Sequence, residues 1–258
     1  MSAKKVIVKQ LEAIQNLGAT TVLCSDKTGT LTLDHVELHS SVDGAGAPWL
    51  LPLRLAYLNA HFQTGTRNLL DASILKCPEK YASHGNEGGT LEALAKAWTK
   101  VAELPFDSSR RLLSVVIAKV GGSEKQLMVT KGAVEEVLER CSKIYDVAAD
   151  ESLNPADRSK PLDGDNRELL VRTAEDLNSQ GLRLVAVASK AIALFENMEV
   201  SSVDESGLAF AGFLAFLDPP KPDAAEAIAR LKELGVQVGS PRLARSCISS
   251  LLLCRSLY

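Results

Sequence analysis

CSDKTGTLT, from Cys24 to Thr32, packs a carboxylate, a lysine, several hydroxyls and a glycine into nine residues directly behind the β-branched and apolar run Thr20 to Cys24. If that run is a strand, Asp26 lies just past its carboxyl end, where open α/β sheets bind their ligands. Gly29 lets the backbone turn tightly, and the N–H groups of such a turn can surround an anion. A carboxylate nucleophile in this position could take up a phosphoryl group as an acyl phosphate, which splits a difficult transfer into two steps. A magnesium ion would then offset the repulsion between the two anions. Taken alone, Lys27 to Thr30 is also ordinary turn composition, with Asp26 accepting backbone hydrogen bonds.

Upstream, Leu11, Ile14 and Leu17 recur at helical spacing and Gly18 stops the helix. Downstream, residues 41–89 are loop-rich, with DGAGAP and HGNEGG on either side of a helix over Pro52 to Ala60, which marks entry into a second domain. Leu112 to Lys119 reads as a strand, Gly121-Gly122 as the start of a hairpin loop, and Gln126 to Thr130 as the returning partner. Val134, Val137, Leu138 and Cys141 predict a helix, Arg167 to Gln180 another ended by Gly181, and LRLVAVAS a further strand. The second domain is therefore α+β. Leu208 to Leu217 is an apolar run suited to a fully buried strand, stopped by Asp218-Pro219-Pro220. Ala225, Ile228, Leu231 and Leu234 then mark a helix from Pro222 to Gly235, and Val236 to Val238 begins a strand. Strand, helix and strand predict return to a parallel α/β sheet.

Bulk properties narrow the function classes. The 258 residues carry a net charge of −3 with acidic and basic side chains interspersed, unlike the basic footprint of a nucleic-acid binder, so DNA and RNA are not expected as partners. Five cysteines (Cys24, Cys77, Cys141, Cys247 and Cys254) form no CxxC pair, which argues against a disulfide framework or structural zinc and for a reducing compartment. No stretch approaches the roughly 20 apolar residues of a membrane span, and MSAKKVIVKQ lacks a signal-peptide core.

The full string CSDKTGTLT resembles the signature of the P-type ATPases. The resemblance implies a haloacid-dehalogenase-like (Rossmann-like) phosphorylation domain with an inserted α+β nucleotide-binding domain. It implies ATP as substrate, phosphorylation of Asp26 with Lys27, Thr28 and Thr30 around the phosphoryl group, and Mg2+ on Asp26 and Thr28. Thr28 stands where the phosphatase branch of that fold usually has a second aspartate as acid/base, which disfavours a free phosphatase and favours a lasting phosphoenzyme.

Further segments fit the family in order. LPFDSSRRLLSVV (Leu104 to Val116) resembles the segment whose phenylalanine, here Phe106, stacks on adenine and whose basic residue, here Arg111, reaches the phosphates; Ser108 replaces an arginine usual there. TKGAVEEVL (Thr130 to Leu138) resembles the adenine-pocket loop, giving Lys131 and Gly132. Asp71 in NLLDASIL fits the acidic adenine contact and Arg183 in GLRLVAV an arginine facing the phosphates. DPPKPD (Asp218 to Asp223) resembles the hinge, with Asp218 and Lys221 near the nucleotide. Without the family, Phe106 reads equally as a core aromatic, Lys131-Gly132 as a solvated turn, and Asp71 and Arg183 as surface charges.

LNAHFQTGTRNLLDASIL (Leu58 to Leu75) is most similar to the bacterial magnesium-transporting branch, with calcium- and proton-pumping relatives as alternatives. The implied partners are ATP and the transmembrane and actuator regions of a parent pump in the cell membrane, with this segment on the cytoplasmic side. The expected organisation is a first part of the phosphorylation domain at 1–37, the nucleotide-binding domain at 38–206, a second part at 207–238 and an atypical tail at 239–258. The resemblance spans Lys4 to Val238; the TGD and GDGxND motifs that follow in the family do not appear, and the chain closes on GSPRLARSCISSLLLCRSLY. The expectation is an incomplete phosphorylation domain, so that the isolated chain binds ATP but labels Asp26 little; a non-catalytic ATP-binding module is the alternative.

Overall fold

A computed structural model describes residues 14, 16, 18–25, 27–65, 67–77, 91–121, 125–147, 153, 158–193 and 200–239. The expected helix before Gly18 lies almost wholly outside them, as do Asp26 and the tail beyond Gly239. The chain divides into two units, one of residues 1–34 with 218–258 and one of residues 35–217.

In the smaller unit, β1 (Val22–Cys24) is followed by one π-helical turn (Lys27–Leu31). The larger unit then runs β2 (Glu37–Val42), α1 (Leu51–Phe62), α2 (Leu69–Leu75), α3 (Leu91–Lys96), β3 (Trp98–Asp107), β4 (Leu112–Lys119) and β5 (Lys125–Gly132). It continues with α4 (Val134–Arg140), β6 (Cys141–Tyr145), β7 (Ser159–Pro161), α5 (Gly164–Ser179), β8 (Arg183–Ala193) and β9 (Leu208–Leu217). α6 (Ala224–Glu233) and β10 (Gln237–Gly239) belong to the smaller unit.

The smaller unit pairs β1 with β10 in parallel, Val22 opposite Gln237 and Cys24 opposite Gly239. A parallel pair needs a long connection, and this one runs through residues 35–217 and ends on α6, which opens after Pro222 and closes at Gly235. The KTGT turn is laced to the DPPK segment: Leu33 N donates to Pro219 O (2.8 Å), Lys221 N to Leu31 O (2.9 Å) and Lys221 Nζ to Gly29 O (2.9 Å).

In the larger unit the strand order is β3-β4-β5-β8-β9-β6-β7, with β2 also on β9. The sequence reading puts Leu208–Leu217 at the return to the parallel sheet; instead it is an interior strand here, antiparallel to β8. Its other edge is shared, the first half running parallel to β6 and the second antiparallel to β2. The reason is burial on both faces, which a covered mixed sheet demands as much as a parallel one does. Ala209, Ala211, Leu214 and Phe216 pack toward a core with α1, and Leu208, Phe210 and Phe213 toward a second core with α4 and α5. The alternation resets at Gly212, beside an irregular register with β8, where an extra residue bends the strand. A Cβ on Gly212 would stand 2.2 Å from Val42 O, so only glycine lets β2 approach at this crossing.

α1 is apolar nearly all round because it lies under the sheet, with Leu53, Leu55, Ala56 and Leu58 wholly buried. Its one buried amide, Asn59, donates to Leu113 O (3.2 Å) and Val129 O (2.7 Å), which fixes the helix lengthwise against β4 and β5. The chain leaves α1 at Gln63 in extended conformation, and Asn68 then caps α2 by accepting from Asp71 N (2.8 Å).

Candidate functional site

Four segments of the larger unit meet around a cavity of about 670 Å³: the α1–α2 link, the turn from β3 to β4, the junction of β5 with α4, and the start of β8. Its apolar wall includes Leu70, Ile74, Leu113, Leu184 and Val185.

The polar floor comes from elements far apart in sequence. Lys131 ends β5, Asp71 sits in the first turn of α2, and Gln63 stands just past α1. Lys131 Nζ donates to an Asp71 carboxylate oxygen and to Gln63 Oε1 (3.0 Å), while Gln63 Nε2 donates to Asp71 Oδ2 (2.8 Å). Lys131 is only 6% exposed and Asp71 2%. Burial pushes the Lys131 pKa down, and the Asp71 carboxylate works against that push. The floor thus offers donors and acceptors within a largely apolar cleft, the mixture that orients a bound heterocycle.

At the mouth, Phe106 is 59% exposed and turns a flat ring outward at the end of β3. Arg111 follows in the left-handed region, at φ 52°, which is uncommon for a residue with a side chain. Its backbone is held at both ends, Arg111 N donating to Asp107 O (2.7 Å) and Arg111 O accepting from Ala133 N (3.2 Å). The close approach depends on Gly132, since a Cβ there would stand 2.3 Å from Arg111 O. Neighbouring Arg110 anchors the same turn, giving Nη2 to Pro105 O (2.8 Å) and Nη1 to the fully buried Glu205 (2.5 Å). Glu205 also accepts from Ser114 Oγ (2.6 Å).

Thr64, on the α1–α2 link, is held by Glu103 of β3. The carboxylate accepts from Thr64 N (3.0 Å), Thr64 Oγ1 (2.7 Å) and Lys100 Nζ. Burial acts to raise the Glu103 pKa, but the hydrogen bonds from Lys100 and Thr64 prevail and hold the carboxyl below its usual range.

Of the residues singled out in the sequence, Asp71, Phe106, Arg111, Lys131, Gly132 and Arg183 all line this cavity. Asp218, which is buried, and Lys221 belong to the smaller unit, as does Thr30, which is exposed. Asp26 and the side chains of Lys27 and Thr28 lie outside the described residues, so the expected magnesium ligands do too. Among the described residues no cluster of His, Cys, Asp or Glu could hold a metal ion. The sequence reading missed Gln63, Thr64 and Asn68, although the polar run QTGTRN directly after an apolar helix was a usable signal. It also missed Glu103 and Glu205, which act on the rims from a distance.

Residues 62–223 match the family model described as P-type ATPase, cytoplasmic domain N, and the chain belongs to that family. Over 238 residues it is 41% identical to magnesium-transporting ATPase, P-type 1 of Escherichia coli (strain K12), covering 92% of this chain and 24% of the relative. It is 40% identical over 241 residues to the protein of the same name in Salmonella typhimurium (strain LT2), with the same coverage. A more distant relative, the potassium-transporting ATPase alpha chain 2 of Cavia porcellus, is 28% identical over 278 residues, covering 92% of this chain and 26% of the relative. The chain spans about a quarter of the length of these curated relatives. Among the described residues no helix is long and apolar enough to cross a membrane.

Proposed function

We propose that the larger unit binds ATP in this cavity. Adenine stacks on Phe106 and is read by the Lys131, Asp71 and Gln63 network, while Arg111 and Arg183 hold the phosphates. The observation that carries this reading is the convergence of six residues, from four separated segments, on one cleft with a flat aromatic face, a mixed donor and acceptor floor and guanidinium groups.

On the same footing, the smaller unit is the haloacid-dehalogenase-like phosphorylation domain. There Asp26 accepts the terminal phosphoryl group of ATP, with Lys27, Thr28 and Thr30 around it and Asp218 and Lys221 near the nucleotide. Asp26 and Thr28 are the residues that would hold a magnesium ion, which would offset the repulsion between the carboxylate and the phosphate. Support comes from the signature CSDKTGTLT and from the bonds that tie its turn to the DPPK segment. The parent is then a membrane pump that couples ATP hydrolysis to cation transport, with magnesium favoured by the names of the relatives at 40 and 41% identity. This segment lies on its cytoplasmic side beside its transmembrane and actuator regions.

Calorimetry of the full chain with ATP and magnesium tests the reading. Phe106→Ala removes a stacking face of about 1–3 kcal/mol, so its affinity falls roughly 5- to 150-fold, and Lys131→Ala weakens binding by a comparable factor. A folded wild-type chain that takes up no ATP would refute the proposal.

A further inference from the structure

Arg111 already has a carboxylate partner. Its Nη2 donates to Glu136 Oε1 and stands 3.5 Å from Glu135 Oε2. Both acids lie in the first turn of α4, three and four residues past Gly132, so the loop that brings Lys131 to the cavity floor also brings a competitor to the cavity mouth. The pairing is built into the backbone. Arg111 O accepts from Ala133 N, and the missing Cβ of Gly132 allows that approach. Glu136 is the more committed acid: its side chain is 21% exposed against 85% for Glu135. Glu136 Oε2 is buried and finds no hydrogen-bond partner among the described residues, so the charge on Glu136 leans on Arg111.

We propose that Glu136 is a specificity-determining residue of the cleft, one that holds Arg111 until the phosphates of a nucleotide displace it. The inference rests on the ATP-binding reading and adds to it how strongly the phosphates count. A guanidinium released from a carboxylate to a phosphate exchanges one charge-assisted bond for another, so the net gain from the phosphates is reduced by the strength of the pair that is lost. Adenosine makes no such demand and is indifferent to Glu136. The pocket therefore discriminates less between ATP and adenosine than its two arginines would allow.

The experiment compares ATP and adenosine binding to the full chain by calorimetry, in wild type, Glu136→Gln, Arg111→Ala and the double variant, with Glu139→Gln as a charge control on the exposed side of the same helix. For Glu136→Gln, ATP binds about fivefold tighter, the upper end for a partly exposed pair, while adenosine affinity is unchanged, which also reports that the pocket is intact. In the Arg111→Ala background the same change gives no gain, and Glu139→Gln leaves the ATP to adenosine ratio where it was. An unchanged ratio in Glu136→Gln overturns the inference alone, as does a gain that persists without Arg111 or that Glu139→Gln reproduces. A wild-type chain that binds neither ligand removes the underlying reading and the inference together.

Discussion

Replacing Asp71 by alanine strands the Lys131 ammonium in the cavity floor. Asp71 and Lys131 are 2% and 6% exposed, and Gln63 Oε1 at 3.0 Å is then the remaining acceptor among the described contacts of the ammonium. Removing one partner of a buried pair costs about 3–5 kcal/mol. A ceiling follows from titration. A lysine can escape the penalty by giving up its proton, and at pH 7 that costs about 4.6 kcal/mol for a side chain that ordinarily titrates near 10.4. The expected loss of stability is therefore about 3–4 kcal/mol at pH 7. The sign of the pH dependence is fixed as well. Burial already lowers the Lys131 pKa, and loss of Asp71 lowers it further. Between the folded and the unfolded pKa the unfolded chain holds a proton that the folded chain lacks, so stability of the variant rises with pH by about 1.4 kcal/mol per unit until the unfolded lysine also titrates. Urea unfolding followed by tryptophan fluorescence measures this directly, because both tryptophans, Trp49 and Trp98, lie in the larger unit. With a denaturant slope near 2 kcal/mol per molar, the midpoint falls by about 1.5–2 M at pH 7. At pH 8.5 the same ceiling is about 2.6 kcal/mol, so the midpoint shift shrinks to about 1.3 M or less and closes further as pH approaches about 10. Asp71→Leu combined with Lys131→Met, which removes both charges, costs less than Asp71→Ala alone. A midpoint shift under about 0.5 M, or one that does not shrink as pH rises, would show that the ammonium is not confined as the hydrogen bonds indicate.

Two further outcomes follow from the rims. Gly132→Ala puts a methyl group 2.3 Å from Arg111 O; the backbone must yield, so stability drops by about 1–3 kcal/mol and ATP affinity falls with it, both measurable on the same sample. Glu103→Gln loses about 1 kcal/mol at neutral pH, where the carboxylate holds Thr64 and Lys100. Because the folded Glu103 pKa is depressed, its stabilisation is present above the ordinary carboxylate range and is lost as pH falls through the folded value, so the urea midpoints of variant and wild type converge in acid. A gap that persists at pH 3 would assign the loss to packing and not to charge.

Local pattern carried the elements further than it carried their partners. The hairpin of β4 and β5, the helices after Ala133 and around residues 164–179, and the strand–helix–strand close of the chain were legible because each declares itself within a dozen residues through alternation, helical spacing or a glycine stop. β3 was not, because Trp98–Asp107 alternates weakly along a half-exposed edge. Leu208–Leu217 was legible as a buried strand but not as a neighbour of β8, β6 and β2, since an apolar run records that both faces are covered and not which strands lie beside it.

The site shows the same division more sharply. From residues alone Lys131 belongs to a solvated turn, and what makes it a buried, paired ammonium is an acid supplied from a helix some 60 residues away. The family resemblance supplied Asp71, Phe106, Arg111 and Arg183 because it carries three-dimensional proximity in the order of its motifs. It carried nothing about Glu103, Glu205 or Glu136, whose work depends on rim geometry. These three carboxylates take hold of Thr64, Arg110 and Arg111 respectively, each on a segment that borders the cavity. Two of them anchor backbone turns and so prepare the cleft for a ligand. Glu136 instead grips a side chain on the cavity wall, and removing it is the one change among the three that should strengthen binding.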